Sequence, residues 1–408
     1  MSSSRVPTGL ADAEWRARAA AVIPGGASTG SKRPDALFGP ETSFGPTHFR
    51  SASGCRLITA GGAELVDCTM ALGAVALGYA DEGVTQAVVE AATRGNVAGL
   101  SPTLEVQVAE RLCEVIPCAE QVRFLKSGAE GVAGAVRIAR AHTRRTLVLG
   151  AGYFGWLDWW SDAPGVPAGA HADFQAIPFD DVGALEEAAA EAGDALAAIV
   201  LEPVVERLPS DEWLAAARRL CDERGAVLIF DEMKTGFRIR RGGFQEYSGV
   251  MPDLAVFGKA IANGYPLSAI VGRAHVMEAA RATWISSTLA SETVALAAAS
   301  AVLDRHDAMD VCGALWRTGD AICQAVTRAV HTSGAAGVCV DGIAPMWFLR
   351  FDDEALRARF LELALEEGVL FKRGAYNFAS LAHDERAIAR IEDAAAAALA
   401  RASEESHA

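Results

Sequence analysis

The sequence predicts an α/β protein built on a mainly parallel sheet. Between residues 120 and 272, short apolar runs alternate with segments of helical periodicity, as in a sheet whose strands are joined by helices. Two of those runs stop abruptly at charged residues: Ala226–Phe230 at Asp231-Glu232, and Leu254–Phe257 at Gly258-Lys259. Uninterrupted apolar runs of that length read as buried strands covered on both faces. With 408 residues, 51% hydrophobic and 22% charged, the chain can fill a large core and divide into two domains.

Each element follows from its own pattern. Residues 11–22 read as a helix and 23–33 as a loop. Arg56–Thr59 and Glu64–Asp67, separated by Ala60-Gly-Gly, read as a hairpin. Met70–Gly78 is Gly-rich and apolar. Helices are expected over 81–94 and from Thr103, where apolar residues fall in amphipathic order. Gln121–Leu125 is a strand, 126–130 a turn of small residues, and 131–140 a helix. Strands follow at 147–150 and 197–201, the latter ending in Glu202-Pro203. Then come a helix over 213–224, the strands that end at Asp231 and Lys259, and another strand over 266–272. An Ala-rich helix is expected over 293–304, with a nearby Ser or Thr as its N-cap. The remainder reads as a long helix from about 308, a strand over 346–351, a helix over 353–367 and a last helix from 384.

Three of these elements carry chemistry. A carboxylate and a lysine delivered by successive buried strands reach the same edge of the sheet, where open α/β sheets bind ligands. A carboxylate to pair with a pyridinium nitrogen and a lysine to form a Schiff base are what pyridoxal 5'-phosphate (PLP) asks of a protein. Taken singly, Asp231-Glu232 also reads as a solvated turn and Lys259 as a surface charge. The turn 126–130 opens a helix and offers free N–H groups to a phosphate, although many such units bind nothing. Gly26-Ala-Ser-Thr-Gly30 matches GxSxG, but the strand that a nucleophile elbow requires does not precede it.

Composition narrows the classes. A net charge of −15 without a basic block argues against nucleic acid. No apolar run is long enough for a membrane span, and the first 20 residues lack signal-peptide order. Eight scattered cysteines with no CxxC read as reduced, mostly core thiols, and a cytoplasmic location is expected. No metal site is expected.

DEMKTGFR (231–238), followed by PDLAVFGKAIANGYPLSAIVG (252–272), resembles the core of the class III PLP-dependent aminotransferases, especially the glutamate-1-semialdehyde aminomutase-like branch. The resemblance runs from Ile23-Pro-Gly-Gly to the C-terminal helix. It implies fold type I, a large mainly parallel-sheet domain with a smaller α+β domain made from both chain ends. The expected segments are 1–60, 61–305 and 306–408. It implies that Lys259 carries the cofactor and moves the proton, and that Asp231 pairs with the pyridinium. Ser127, Gly128, Ala129 and a partner subunit's Thr288 would hold the phosphate. Tyr153 would stack on one face of the ring, with Met233 a candidate for the other and Glu202 close by. Lys32 and Trp156 would contact substrate. A homodimer with sites at its interface is expected.

Three positions depart from the family pattern. Lys32 stands where the aminomutases have arginine, Ala129 where Ser or Thr is frequent, and Phe154 where His is usual. Tyr376-Asn377-Phe378 with His383 resembles an N-Leu-Ser-x-x-H pattern of sugar-pathway relatives. It suggests a sugar-, cyclitol- or nucleoside-like aldehyde or ketone as acceptor, with an amino acid as donor. The connection Val276–Thr288 is shorter than the mobile loop of the aminomutases, which places transamination ahead of aminomutase or racemase/epimerase activity. A non-catalytic PLP-fold protein is disfavoured because Lys259 and Asp231 are both retained.

Overall fold

The computed structural model describes residues 11–39 and 45–406. Residues 1–10 and 40–44 of the expected N-terminal segment, and 407–408, lie outside the described residues. The strands are β1 Phe49–Ser53, β2 Arg56–Thr59, β3 Glu64–Asp67, β4 Gln121–Leu125, β5 Leu147–Ala151, β6 Phe174–Ala176 and β7 Leu196–Leu201. They continue with β8 Val227–Asp231, β9 Leu254–Phe257, β10 Ser268–Gly272, β11 Val338–Ile343, β12 Met346–Phe351, β13 Val369–Leu370 and β14 Asn377–Phe378.

The chain divides into two units, residues 82–313 and residues 1–81 with 314–408. The first unit holds a seven-stranded sheet in the order β4-β10-β9-β8-β7-β5-β6. Every neighbouring pair from β9 to β6 is parallel. β10 is antiparallel to both β4 and β9, so it alone runs against the rest. β7, β8 and β9 are buried at every position, which is why they read as unbroken apolar runs. The helix Gly128–Thr143 packs on this sheet through Val132, Ala135, Val136 and Ile138. It begins three residues earlier than the apolar pattern suggested, because Ser127 caps it.

The second unit joins the chain ends. β1, β2 and β3 form an antiparallel meander, and β13 adds to β3 in parallel, Val369 opposite Val66. β11, β12 and β14 make a three-stranded antiparallel sheet. Residues 61–81 and 314–408 belong to this unit, so its boundaries fall at 81 and 313, not at 60 and 305. Pairing explains the shift at 61–81: β3 takes β2 and β13 as partners. Just after β3, Met70, Ala71 and Leu72 stand at φ 43°, 50° and 59°, a left-handed turn of three non-glycine residues closed by Gly73. Left-handed backbone costs about 1–2 kcal/mol per residue, so this turn is held in place by its surroundings. Phe378 N–H donates to Cys68 O (2.8 Å), and Ser380 Oγ and Leu381 N–H donate to Ala76 O (3.0 and 2.9 Å).

Candidate active site

β4, β5, β7, β8 and β9 point the same way and end at one edge. β8 ends in Asp231, which is buried, and β9 leads through Gly258 to half-buried Lys259. Lys259 has φ 49°, in the left-handed region, a conformation that a lysine adopts only when its surroundings enforce it. Burial pushes the Asp231 acid up to about 7, and Glu202 adds to the push; the Met233 N–H (3.0 Å to Oδ1), Lys259 and Lys234 oppose it. Burial likewise lowers the Lys259 amine to about 8, helped by Lys234 and Arg238 and opposed by Asp231 and Glu202. The two groups, at the ends of neighbouring strands, thus act on one another, and each is shifted toward its neutral form.

Three further pieces converge on them. Glu202, at the end of β7, forms an ion pair with Lys234 and accepts the Tyr153 N–H at 3.2 Å. The Met233 thioether lies between the opening turn of the Gly128 helix and Gly258, where a Cβ added to either glycine would meet it. Ser127 closes a capping box: its Oγ accepts the Glu130 N–H (3.3 Å), and the Glu130 carboxylate accepts the Ser127 N–H (2.9 Å). The Ser127 hydroxyl also donates to Glu130 (3.0 Å), so it is occupied by its own helix. The Gly128 and Ala129 N–H groups donate to nothing among the described residues and form an open anion cradle. Gly155 (φ 89°) brings the turn after β5 so close that a Cβ there would lie 2.7 Å from Ala129 Cα.

Glu232, beside Asp231, has a different task. Its carboxylate accepts the Phe244 N–H (2.7 Å), the Gln245 N–H (3.1 Å) and the Thr235 hydroxyl, tying down the loop after β8. Of the aromatic residues after β5, Phe154 is buried among Trp159, Trp160 and Phe174, an apolar cluster that suits a phenyl ring better than the polar ring of the usual histidine. Tyr153 and Trp156 are 65% and 74% exposed, although the Tyr153 ring packs edge-on against Trp160. Thr288 is not gathered with Asp231 and Lys259; it is exposed and lines a separate cavity of about 640 Å³ with residues 91–104 and 287–293. The helix Thr293–Ala308 is capped by the Glu292 carboxylate and not by Ser or Thr. Lys32 lies in the other unit, exposed at the end of a short 3-10 turn. Lys234 carried no signal of its own in the sequence: its partner is 32 positions away, on another strand end.

The model of the class III aminotransferase family matches residues 41–152 and 166–383. The chain belongs to the class III aminotransferases. Among its relatives, the glutamate-1-semialdehyde 2,1-aminomutase of Sorangium cellulosum is 33% identical over 94% of both chains. That of Rhodopirellula baltica is 35% identical over 78% of this chain and 76% of its own. Among solved structures, the PLP internal aldimine form of the FumI protein of Sphingopyxis sp. MTA144 superimposes with a TM-score of 0.92 at 27% identity, covering 97% of each chain. A transaminase with PLP bound gives 0.89, also at 27% identity, over 97% of this chain and 98% of its own. The fold is thus fold type I, and the family's cofactor is PLP. The site of this aminotransferase fits that cofactor: a cradle of unpartnered N–H groups suits the phosphate, a buried acid suits the pyridinium, and a buried amine suits the aldehyde carbon. Among the described residues no helix is long and apolar enough to cross a membrane.

Proposed function

We propose that this enzyme moves an amino group from an amino-acid donor to an aldehyde or ketone, and that Lys259 and Asp231 carry the chemistry. PLP, when bound, supplies an electron sink for the charge that develops at the substrate carbon. Everything else falls to the chain. The Lys259 amine, lowered to about 8, is poised near neutrality to take and return a proton at Nζ. Asp231 would hold the pyridinium N–H, whose positive charge would offset the cost of ionising a buried acid. Gly128 and Ala129 would donate to the phosphate, with Ser127 setting the helix that aims them. Met233 and Tyr153 would flank the ring, and Glu202 would fix the Tyr153 turn. The observation that carries the reading is the pair Asp231 and Lys259 at the ends of neighbouring buried strands, the latter in an enforced backbone conformation.

A homodimer is part of this proposal. Thr288 stands apart from Asp231 and Lys259, and Leu100 (85% exposed), Leu289 and Trp284 leave apolar surface in the same unit uncovered. A second copy would cover it and bring its Thr288 to the phosphate. Aminomutase activity is the second reading, favoured by the names of the relatives. A sugar-, cyclitol- or nucleoside-like acceptor remains part of the reading; the segment that suggested it is buried, with Asn377 Oδ1 and both His383 ring nitrogens in internal hydrogen bonds. The test is the visible absorbance of the purified protein, with Lys259→Ala beside it, before and after L-glutamate. Transamination predicts a band lost in the variant, bleached by glutamate, with stoichiometric 2-oxoglutarate. A band that common donors leave unchanged, with no oxo-acid released, favours the mutase. Wild type that never takes up PLP overturns both.

A further inference from the structure

Two neighbouring tryptophans follow the turn after β5, and they have different tasks. Trp159 packs at a 34° tilt on Phe154 and edge-on against Phe174, as part of the core cluster. Trp160 shares that cluster, edge-on to Phe154 (ring centroids 5.5 Å apart, 80°) and to Phe174 (6.1 Å, 77°). It also reaches back to the turn at two points. Its indole N–H donates to Gly155 O at 3.0 Å, and its ring meets the Tyr153 ring at 5.5 Å and 89°. A perpendicular contact at that separation is favoured by the opposite charge of ring edge and ring face. Tyr153 is exposed, and Trp160 is the contact of its ring among the described residues. The Tyr153 backbone is fixed separately, by the Glu202 carboxylate that accepts its N–H.

The turn that Trp160 grips lies tight against the anion cradle. A Cβ on Gly155 would lie 2.7 Å from Ala129 Cα, and one on Gly152 would lie 2.4 Å from Glu202 Cβ. An exposed tyrosine with a free ring samples its rotamers and gives up that freedom when it stacks on a ligand. A ring that leans on a half-buried indole, itself packed on Phe154 and Phe174, has given up that freedom beforehand. The hydrogen bond at Gly155 and the ring contact at Tyr153 hold both ends of a three-residue stretch. The angle of the Tyr153 ring and the seating of the turn on the cradle are therefore set by one side chain.

We propose that Trp160 is a positioning residue: it holds the Tyr153 ring ready to stack on the bound cofactor, and it acts on the cofactor only through Tyr153. Naming that cofactor as PLP rests on the aminotransferase reading; the hold on Tyr153 does not, and is read in the cofactor-free protein. The first measurement is fluorine NMR of the full-length protein labelled with 3-fluorotyrosine, the Tyr153 signal being the one that Tyr153→Leu removes. Trp160→Leu should move that signal toward the position of free fluorotyrosine, because the ring current of the indole is gone. The second is a PLP titration followed by visible absorbance. Tyr153→Leu and Trp160→Leu should each weaken PLP binding by about two- to tenfold, the worth of one aromatic stack. The double variant should bind PLP as Tyr153→Leu alone does, since Trp160 then has nothing to position. Trp160→Phe, whose smaller ring lacks the N–H, serves the same comparisons where the leucine variant fails to fold. An unmoved Tyr153 signal, unchanged PLP affinity in the Trp160 variants, or effects that add in the double variant overturns the proposal. A wild type that takes up no PLP sinks the aminotransferase reading, and the fluorine signal of the cofactor-free protein still decides whether Trp160 holds Tyr153.

Discussion

Replacing Asp231 with Asn should make the cofactor-free protein more stable at slightly alkaline pH while abolishing turnover. In the folded chain the Asp231 acid is raised from 3.8 to about 7, first by burial and then by Glu202. A group whose folded pKa lies above its unfolded value holds its proton more tightly when folded, so wild type loses stability as the pH climbs from 3.8 to about 7. At about 1.4 kcal/mol per pKa unit, that loss is about 4 kcal/mol at pH 8 and about 2 kcal/mol at pH 5. Asparagine cannot ionise and escapes both. It keeps an oxygen for the Met233 N–H, but it adds an amide N–H group that needs a partner, at about 1–3 kcal/mol at either pH. The net effect at pH 8 is a gain of about 1–3 kcal/mol, and the advantage of the variant should grow by about 2–3 kcal/mol between pH 5 and pH 8. Urea denaturation of both cofactor-free proteins at the two pH values reads this directly. An advantage that does not change with pH, or a variant less stable at pH 8 than at pH 5 relative to wild type, would refute the reasoning that Asp231 is held ionisable at a cost.

Lys234→Met removes the cation beside Lys259 and frees the Glu202 charge, and both changes raise the Lys259 amine above about 8; the pH dependence of its acetylation in the cofactor-free protein, followed by mass spectrometry, reports the direction. Gly155→Ala forces a side chain onto φ 89° and into the Ala129 backbone. It should cost about 2–5 kcal/mol and weaken PLP binding, measurable by thermal melting and a cofactor titration. Ala71→Gly should leave stability unchanged or raise it by about 0.5 kcal/mol, against the loss of about 1 kcal/mol that the same change brings within a regular helix. A clear drop in its melting temperature would show that the left-handed turn is not strained.

The strands that end at Asp231, Lys259 and Glu202 were legible because burial on both faces demands unbroken apolar runs, and a charge at their ends breaks the pattern. The Gly128 helix was legible for a related reason: a small-residue turn before an amphipathic run has few other uses. Direction was not legible. The run Ser268–Gly272 looks like its neighbours, yet β10 runs against them, because an apolar strand carries no mark of its polarity. β13 and β14 are two residues each and leave no periodicity to detect. Long-range partners were equally silent. Nothing in Met-Lys-Thr announces that Lys234 reaches Glu202. The alternation of Asp231 with Glu232 shows the limit well: two adjacent acids, one aimed at the edge of the sheet and one folded into a loop, are distinguished only by the hydrogen bonds around them.

The parallel pairing of β3 with β13 joins residues roughly 300 positions apart, Val66 to Val369. Residues 82–313 form one continuous stretch, so all the strands of the seven-stranded sheet are made before the second unit is complete. The first 81 residues cannot complete their unit until nearly the whole chain has been made. Until then the β3 edge presents free N–H and C=O groups to any passing strand. Translation of everything between β3 and β13 is therefore the interval in which a nascent chain is exposed to mispairing, and a chain stopped just short of β13 would carry that open edge permanently.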